Sequence, residues 1–272
     1  MSRAQATACA AMVAALMLPG CDYMARKTLS TGPNGPQTPA SVGLAFERVA
    51  IASGGRRLDG YVVPAAPQCA DAPVLLIYHG VQETISLWVG AQALLHRHCV
   101  SSLVFDYSGS GDSSRPASMG NVNQDAIAAY EFARVRFPGA RLYIFGHSMG
   151  NGIMLDALPG FSRPPEGVVV ANAFASLRDL AGRSSAIYSF LMRFTPDWWD
   201  NVKTVAALHR PLLVLNSDAD TIAPVEDGRR IFASANEPKR FVPLHGYRHN
   251  ALYREAGDDW WGETLRFIGA AS

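Results

Sequence analysis

Apolar and polar residues follow two different rhythms along the chain. "LAFERVAIAS" and "RRLDGYVV" flank the pair Gly54-Gly55, a pattern of two strands joined by a tight glycine turn. Beyond this hairpin, short apolar runs alternate with stretches of helical spacing. "VLLIYH" is followed by "SLWVGAQALLHRH", and "VSSLVFDY" by "NQDAIAAYEFARVRF", which stops at Pro138-Gly139. "RLYIFG", "SMGNGIMLDAL", "EGVVVANAF", "PLLVLNSD", "PVEDGRRIFASA", "KRFVPLH" and "WWGETLRFIG" continue the alternation. Near-continuous apolar strands separated by helices belong to a parallel sheet covered on both faces. The expected fold is therefore α/β, a mostly parallel doubly wound sheet with an antiparallel hairpin at its start. The stretch from Ser176 to Leu208 is too long for a plain crossover and rich in aromatics, and reads as a small helical cap.

Composition narrows the function classes. The chain has 272 residues, 49% hydrophobic and 17% charged, enough for one large core. A formal net charge of +1 without a basic run leaves no electrostatic footprint for nucleic acid. The N-terminus stands apart from the domain. Arg3 precedes the apolar run "ACAAMVAALML", and "LPGC" ends at Cys21. This resembles a bacterial lipoprotein signal over residues 1–21, with Cys21 as the lipidated residue; an ordinary signal peptide or short anchor is the alternative. Asp22 then points to retention at the inner membrane, on its periplasmic face, anchored without a membrane span. Residues 22–43 include "STGPNGPQTPASVG", which reads as a tether, so the folded domain is expected over 44–272 with its cap at about 176–208. Cys69 and Cys99 immediately precede two predicted strands. An oxidising compartment allows a disulfide between them; two thiols packed as small apolar residues are the alternative.

The candidate chemistry lies in Gly146-His147-Ser148-Met149-Gly150, a G-x-S-x-G pattern between a predicted strand and a predicted helix. A turn this sharp leaves no room for side chains at the flanking positions. It presents Ser148 at the carboxyl end of the sheet, with the Met149 N–H aimed at any oxygen that becomes negative there. A serine capping a helix after a glycine turn would look the same in isolation. A serine nucleophile needs a base and a group to orient that base. After the strand "PLLVLNS" come Asp218 and Asp220, and after "RFVPLH" come His245 and His249, in the chain order Ser, acid, His.

With these motifs the sequence resembles the α/β-hydrolases, and within them the Bem46 and ABHD13/ABHD17-type serine hydrolases that border on S33-type hydrolases. The resemblance runs from about Leu44 to the end. It rests on Tyr78-His79-Gly80, on Asp106-Tyr107-Ser108-Gly109-Ser110-Gly111-Asp112-Ser113, on the G-x-S-x-G and the segment "SLRDLA". It also includes Asp218-Ala219-Asp220-Thr221-Ile222-Ala223-Pro224 and Gly246-Tyr247-Arg248-His249-Asn250. It implies a triad of Ser148, Asp220 and His249, with Asp218 a turn residue and His245 the end of a strand. It also implies an oxyanion hole from the backbone N–H groups of Val81 and Met149, and a structural place for His79. His147 is expected to pack beside the elbow. The chain departs from the Bem46 pattern G-R-S-L-G-G in having His147, Met149 and Asn151, with Gly152 following.

The implied reaction is cleavage of an ester or thioester through an acyl-enzyme. Trp88, Phe190, Phe194, Trp198 and Trp199 are expected to line a pocket for a lipid-like or small apolar acyl group, or else to pack the cap onto the sheet. An S33-like aminopeptidase or amidase is the runner-up, although the cap offers only Asp179, Asp197 and Asp200 to hold an amino terminus. A catalytically silent, lipid-anchored binding protein is the reading from another class. No cofactor is implied, and His96 and His98 beside Cys99 read as a solvated helix end rather than a metal site.

Overall fold

Both glycines of the predicted hairpin turn adopt positive φ, 52° at Gly54 and 81° at Gly55, and the flanking strands β1 (Glu47–Ser53) and β2 (Arg56–Val63) pair antiparallel. The computed structural model describes residues 26–184, 190, 198–254 and 258–270. β2 continues antiparallel onto β4 (Ser101–Phe105), and every pairing beyond that is parallel. With β3 (Val74–Tyr78), β5 (Leu142–His147), β6 (Gly167–Ala171), β7 (Leu212–Ser217) and β8 (Lys239–Leu244), the sheet runs β1-β2-β4-β3-β5-β6-β7-β8. β5, which ends at the candidate serine, therefore lies in the interior of the sheet between β3 and β6.

The period of two along each strand divides the core into two layers. Leu76, Ile144, Val170 and Val214 join a cluster with Ala126, Ala129 and Ala133 of α2 (Met119–Arg136), Ile153 and Met154 of α3 (Met149–Ala157), and Ile231 of α6 (Val225–Ser234). Leu75, Ile77, Phe145, Val169, Leu213 and Leu215 face the other way. They pack with Leu94 and Leu95 of α1 (Val89–Arg97), Leu252 of α7 (Ala251–Arg254), and Trp261 and Leu265 of α8 (Asp258–Phe267). α2 begins earlier than its apolar period suggests, because Ser118 caps it: its side chain accepts the Asn121 N–H at 3.1 Å.

The cap leaves the sheet after β6 and returns before β7. Of it, α4 (Leu177–Ser184) and α5 (Asn201–Ala206) are described, and Phe194 lies outside the described residues. Its two ends meet: Ser176 and Asp200 form an antiparallel bridge, the Leu177 N–H donates to the Trp199 carbonyl (3.2 Å), and the Val202 N–H donates to that of Ala175 (3.2 Å). Arg183 pairs with Asp227 of α6 at 2.7 Å, fastening α4 to the domain.

Part of the expected tether is instead packed on the domain. Leu29 is buried, the Thr31 N–H donates to the Gly109 carbonyl (3.1 Å), Asn34 donates to Asp106 (2.9 Å), and the Gly35 N–H donates to Ser86 Oγ (2.9 Å). The Pro/Gly composition suits an irregular strap satisfied by loop polar groups as well as it suits a free linker. Cys21 and the signal segment lie outside the described residues, among which no helix is long and apolar enough to cross a membrane.

Cys69 and Cys99 are joined by a disulfide, Cα–Cα 5.4 Å, across the starts of the neighbouring strands β3 and β4. The bridge spans 30 positions of sequence. Closing a loop of that length removes unfolded-chain entropy worth about 3–4 kcal/mol. The double substitution Cys69→Ser/Cys99→Ser is therefore expected to lower the urea midpoint markedly, and an unchanged midpoint would show that the bridge does not hold the fold.

Candidate active site

Ser148 occupies the single residue between β5 and α3, with φ 52° and ψ −122°, a conformation a non-glycine residue adopts only under local constraint. The constraint is visible on both sides. A Cβ at Gly150 would stand 2.0 Å from the Tyr78 carbonyl oxygen, and one at Gly146 would stand 2.6 Å from Asn151 Oδ1. The Ser148 N–H donates to the Ala171 carbonyl (3.1 Å). Asn151, where the Bem46 pattern has glycine, braces the turn through Nδ2 donation to the carbonyls of Ser148 (3.0 Å) and Ala171 (2.8 Å).

The loops after β7 and β8 bring two further side chains to this corner. His249 Nε2 lies 2.8 Å from Ser148 Oγ, and His249 Nδ1 lies 2.6 Å from Asp220 Oδ2. Asp220 is buried, and its other oxygen accepts the N–H groups of Ile222 (2.8 Å) and Ala223 (2.9 Å). With Asp220 held as an acceptor, Nδ1 of His249 carries the proton and Nε2 faces the serine hydroxyl as an acceptor. The other acid and histidine of these loops pair with each other. His245 Nδ1 is 2.7 Å from Asp218 Oδ2, with side chains 79% and 47% exposed. The Gly246 N–H and the His245 ring hold the Asp218 carboxyl below its usual range.

The loop after β3 passes directly against the elbow, since a Cβ at Gly80 would be 3.1 Å from Ser148 Cβ. Val81 follows Gly80 directly in this loop, and Met149 is the first residue of α3 on the other side of Ser148 in the chain. Neither amide has an acceptor among the described residues. His79 is buried, its Nδ1 2.8 Å from the Gly80 carbonyl oxygen and its Nε2 3.4 Å from Asp106 Oδ1. Burial disfavours its charge, but the Asp106 carboxylate, together with Glu83 and the Gly80 carbonyl, raises its pKa.

The aromatic residues expected to line a pocket separate into two groups. Trp88 does not line one: it is fully buried, its Nε1–H donates to Glu83 Oε2 (3.0 Å), and its ring packs on Phe145, His147 and Tyr253. Trp199 is also buried, seated on α3 where a Cβ at Gly152 would be 2.7 Å from its Cβ and Cγ, so it joins the cap to the domain. Trp198 is half-buried against the core and Phe190 is 56% exposed. His96 Nδ1 lies 2.8 Å from the Pro64 carbonyl oxygen, and no cluster of metal-ligating side chains occurs among the described residues. Two polar residues of the site escaped the sequence reading, Glu83 and Asn172. Neither belongs to a motif; the one available signal was a carboxylate three positions after the H-G pair, in a loop bound for the interior.

The fold and this corner define an α/β-hydrolase, an enzyme class in which the carboxyl edge of the sheet carries the chemistry. The family model described as "Serine aminopeptidase, S33" matches residues 70–206, and the chain belongs to that family of α/β-hydrolases. The match takes in the H-G loop and the elbow and ends before Asp220 and His249. The uncharacterized protein Rv2307c of Mycobacterium tuberculosis is 31% identical over 72% of this chain and 69% of its own length. The lysophosphatidylserine lipase ABHD12 of Xenopus tropicalis is 28% identical over 67% of this chain, which spans 54% of that protein. Among solved structures, the Pyrococcus furiosus esterase Pf2001 has the same fold, with a TM-score of 0.72 over 89% of this chain and 97% of its own at 16% identity.

Proposed function

We propose that this protein is a serine hydrolase cleaving carboxylic esters or thioesters with an apolar, lipid-like acyl group. The observation that carries the reading is the unbroken relay from Ser148 Oγ through His249 to Asp220, at 2.8 and 2.6 Å, on a strained elbow beside the amides of Val81 and Met149. Ser148 Oγ attacks the acyl carbon as its proton passes to His249 Nε2. The oxyanion is held by the Val81 and Met149 N–H groups, each such donor being worth about 10² to 10³ in turnover. Asp220 stabilises the imidazolium that forms. His249 returns the proton to the departing alkoxide or thiolate, leaving an acyl-Ser148 ester. A water molecule, deprotonated by His249, then attacks that ester; the acid leaves and Ser148 recovers its proton.

An apolar acyl group is supported by the lipase among the relatives and by the apolar character of the exposed Phe190 and half-buried Trp198 of the cap. A peptidase would need a free carboxylate for the substrate's amino terminus. Among the described cap residues, Asp179 pairs with Arg230 (2.8 Å) and Asp200 accepts the Lys203 N–H that caps α5 (2.9 Å). The test pairs fluorophosphonate labelling, with the label mapped by peptide mass, with turnover of p-nitrophenyl esters from acetyl to dodecanoyl beside aminoacyl anilides. The label is expected on Ser148, with long-chain esters turned over faster than acetate and the anilides left intact. A preference for anilides would make the protein an aminopeptidase. A folded protein that neither labels nor turns over would be a silent binding protein.

A further inference from the structure

His147, between the elbow glycine and Ser148, is completely buried, and both of its ring nitrogens face acceptors. Nδ1 lies 2.9 Å from Glu83 Oε1, and Nε2 lies 3.0 Å from the main-chain carbonyl oxygen of His249. A neutral imidazole has one N–H and one lone pair, so it would satisfy one of these oxygens and repel the other. Only the imidazolium donates to both. Glu83 is buried as well, and its second oxygen accepts the Gly80 N–H (2.9 Å) and the Trp88 indole N–H (3.0 Å). A buried ion pair persists when its remaining hydrogen-bonding capacity is met, as here. The His249 carbonyl accepts a second hydrogen bond from Asn172 Nδ2, at 2.9 Å.

One ion pair thus joins the loop after β3, the end of β5 and the loop after β8. Resting on the hydrolase reading above, we propose that Glu83 and His147 are positioning residues for catalysis. The His147 imidazolium grips the backbone of the base His249 and so sets its ring against Ser148, while the Glu83 carboxylate fixes Gly80 and with it the aim of the Val81 amide. The assignment explains why a charged pair is retained inside a cage of Trp88 and Tyr253, where a purely structural contact would need no charge.

The two groups shift in opposite directions. Burial alone would depress the His147 pKa, but the Glu83 charge and hydrogen bond, with smaller contributions from the His249 carbonyl and Asp220, raise it. Burial alone would raise that of Glu83, but His147, followed by His79 and the Gly80 N–H, lowers it. The other titratable groups facing the pair are His249, its ring centroid 5.1 Å from that of His147, and Tyr253, at 5.7 Å. The sign follows. His147 is protonated below its raised pKa, and the grip on His249 is lost as pH rises through that value. The grip therefore fails on the alkaline side.

The test compares full-chain wild type with Glu83→Gln, His147→Gln and the double variant. kcat and KM are measured for a p-nitrophenyl ester across pH, with thermal unfolding to establish that each variant folds. Each single variant is expected to lose about 10- to 100-fold in kcat with KM little changed, the cost of a misplaced base. The double variant is expected to be no worse than His147→Gln alone, as members of one network behave. In Glu83→Gln the alkaline fall of kcat should begin at lower pH. A readout that needs no variant is the histidine-ring 1H–15N spectrum of the wild type. The ring identified by its contacts with Trp88 and Tyr253 is expected to carry protons on both nitrogens at a pH where an ordinary histidine, pKa about 6.5, is neutral. Folded variants with kcat within about twofold of wild type would overturn the proposal. So would a neutral His147 ring at that pH. A wild type that neither hydrolyses the ester nor takes the fluorophosphonate would overturn the hydrolase reading itself, and the positioning role with it.

Discussion

Replacing Ser148 by alanine is expected to lower kcat for a p-nitrophenyl ester by about 10⁶-fold, with KM little changed. Among the described residues, the side chain removed is the one whose oxygen meets His249 Nε2, at 2.8 Å, so no acyl-enzyme is expected to form without it. The residue that replaces it inherits φ 52°, which costs alanine about what it costs serine, and the Ser148 N–H to Ala171 carbonyl bond does not involve the side chain. The variant should therefore keep its fold and its unfolding midpoint. A small residual rate over water is expected to survive if the Val81 and Met149 amides hold the oxyanion as proposed. Steady-state kinetics, with wild-type sites counted by fluorophosphonate titration and the variant's concentration fixed by absorbance, gives the measurement. Retention of more than a hundredth of wild-type turnover, about 10⁻², would show that another group is the nucleophile.

Asp220→Asn is expected to cost about 10⁴ in kcat while leaving the fold intact. The carboxamide oxygen of the substituted side chain would keep the Ile222 and Ala223 N–H groups that Asp220 Oδ1 accepts at 2.8 and 2.9 Å, and this turns the new NH₂ toward His249 Nδ1. Nδ1 must then accept, the proton moves to Nε2, and the ring presents a donor to Ser148 where a base is required. Asp218→Asn supplies the matched comparison. Two positions earlier, it alters the exposed contacts with His245 and with the Gly246 and Ala219 N–H groups, and activity within about twofold of wild type is expected. Equal losses in the two variants would mean that the acid had been assigned to the wrong side of the loop.

The alternation of apolar runs and helical periods placed the strands well because most of them are buried on both faces, and such strands have little freedom to read otherwise. The elbow was legible for a related reason: glycines at 146 and 150 answer clashes that can be anticipated from the sharpness of the turn. The choice between Asp218 and Asp220, and between His245 and His249, was different. Spacing left both pairs open and only the motif resemblance separated them, since which member of a loop points inward depends on the amides that receive it. The Glu83–His147 pair was not legible at all. Its members stand 64 positions apart and meet only because β3 and β5 are adjacent, with the β3 loop folding back over the elbow. Trp88 was misread for the same reason: an aromatic near an oxyanion loop suits a pocket wall or a core, and the buried Glu83 that decides the matter is visible only in three dimensions. The strap over residues 29–35 escaped because its anchors are backbone groups and small polar side chains, which leave no apolar period.

The bridge between Ser176 and Asp200 makes the cap an insertion with adjoining ends. Apart from Arg183 and Trp199, which fasten the cap to α6 and α3, the stretch between those two residues can be lengthened, shortened or exchanged without changing the distance the chain must cover to rejoin the sheet. A lineage, or an engineer, can therefore rewrite one contiguous stretch of sequence while Ser148, Asp220 and His249, all outside it, stay where they are.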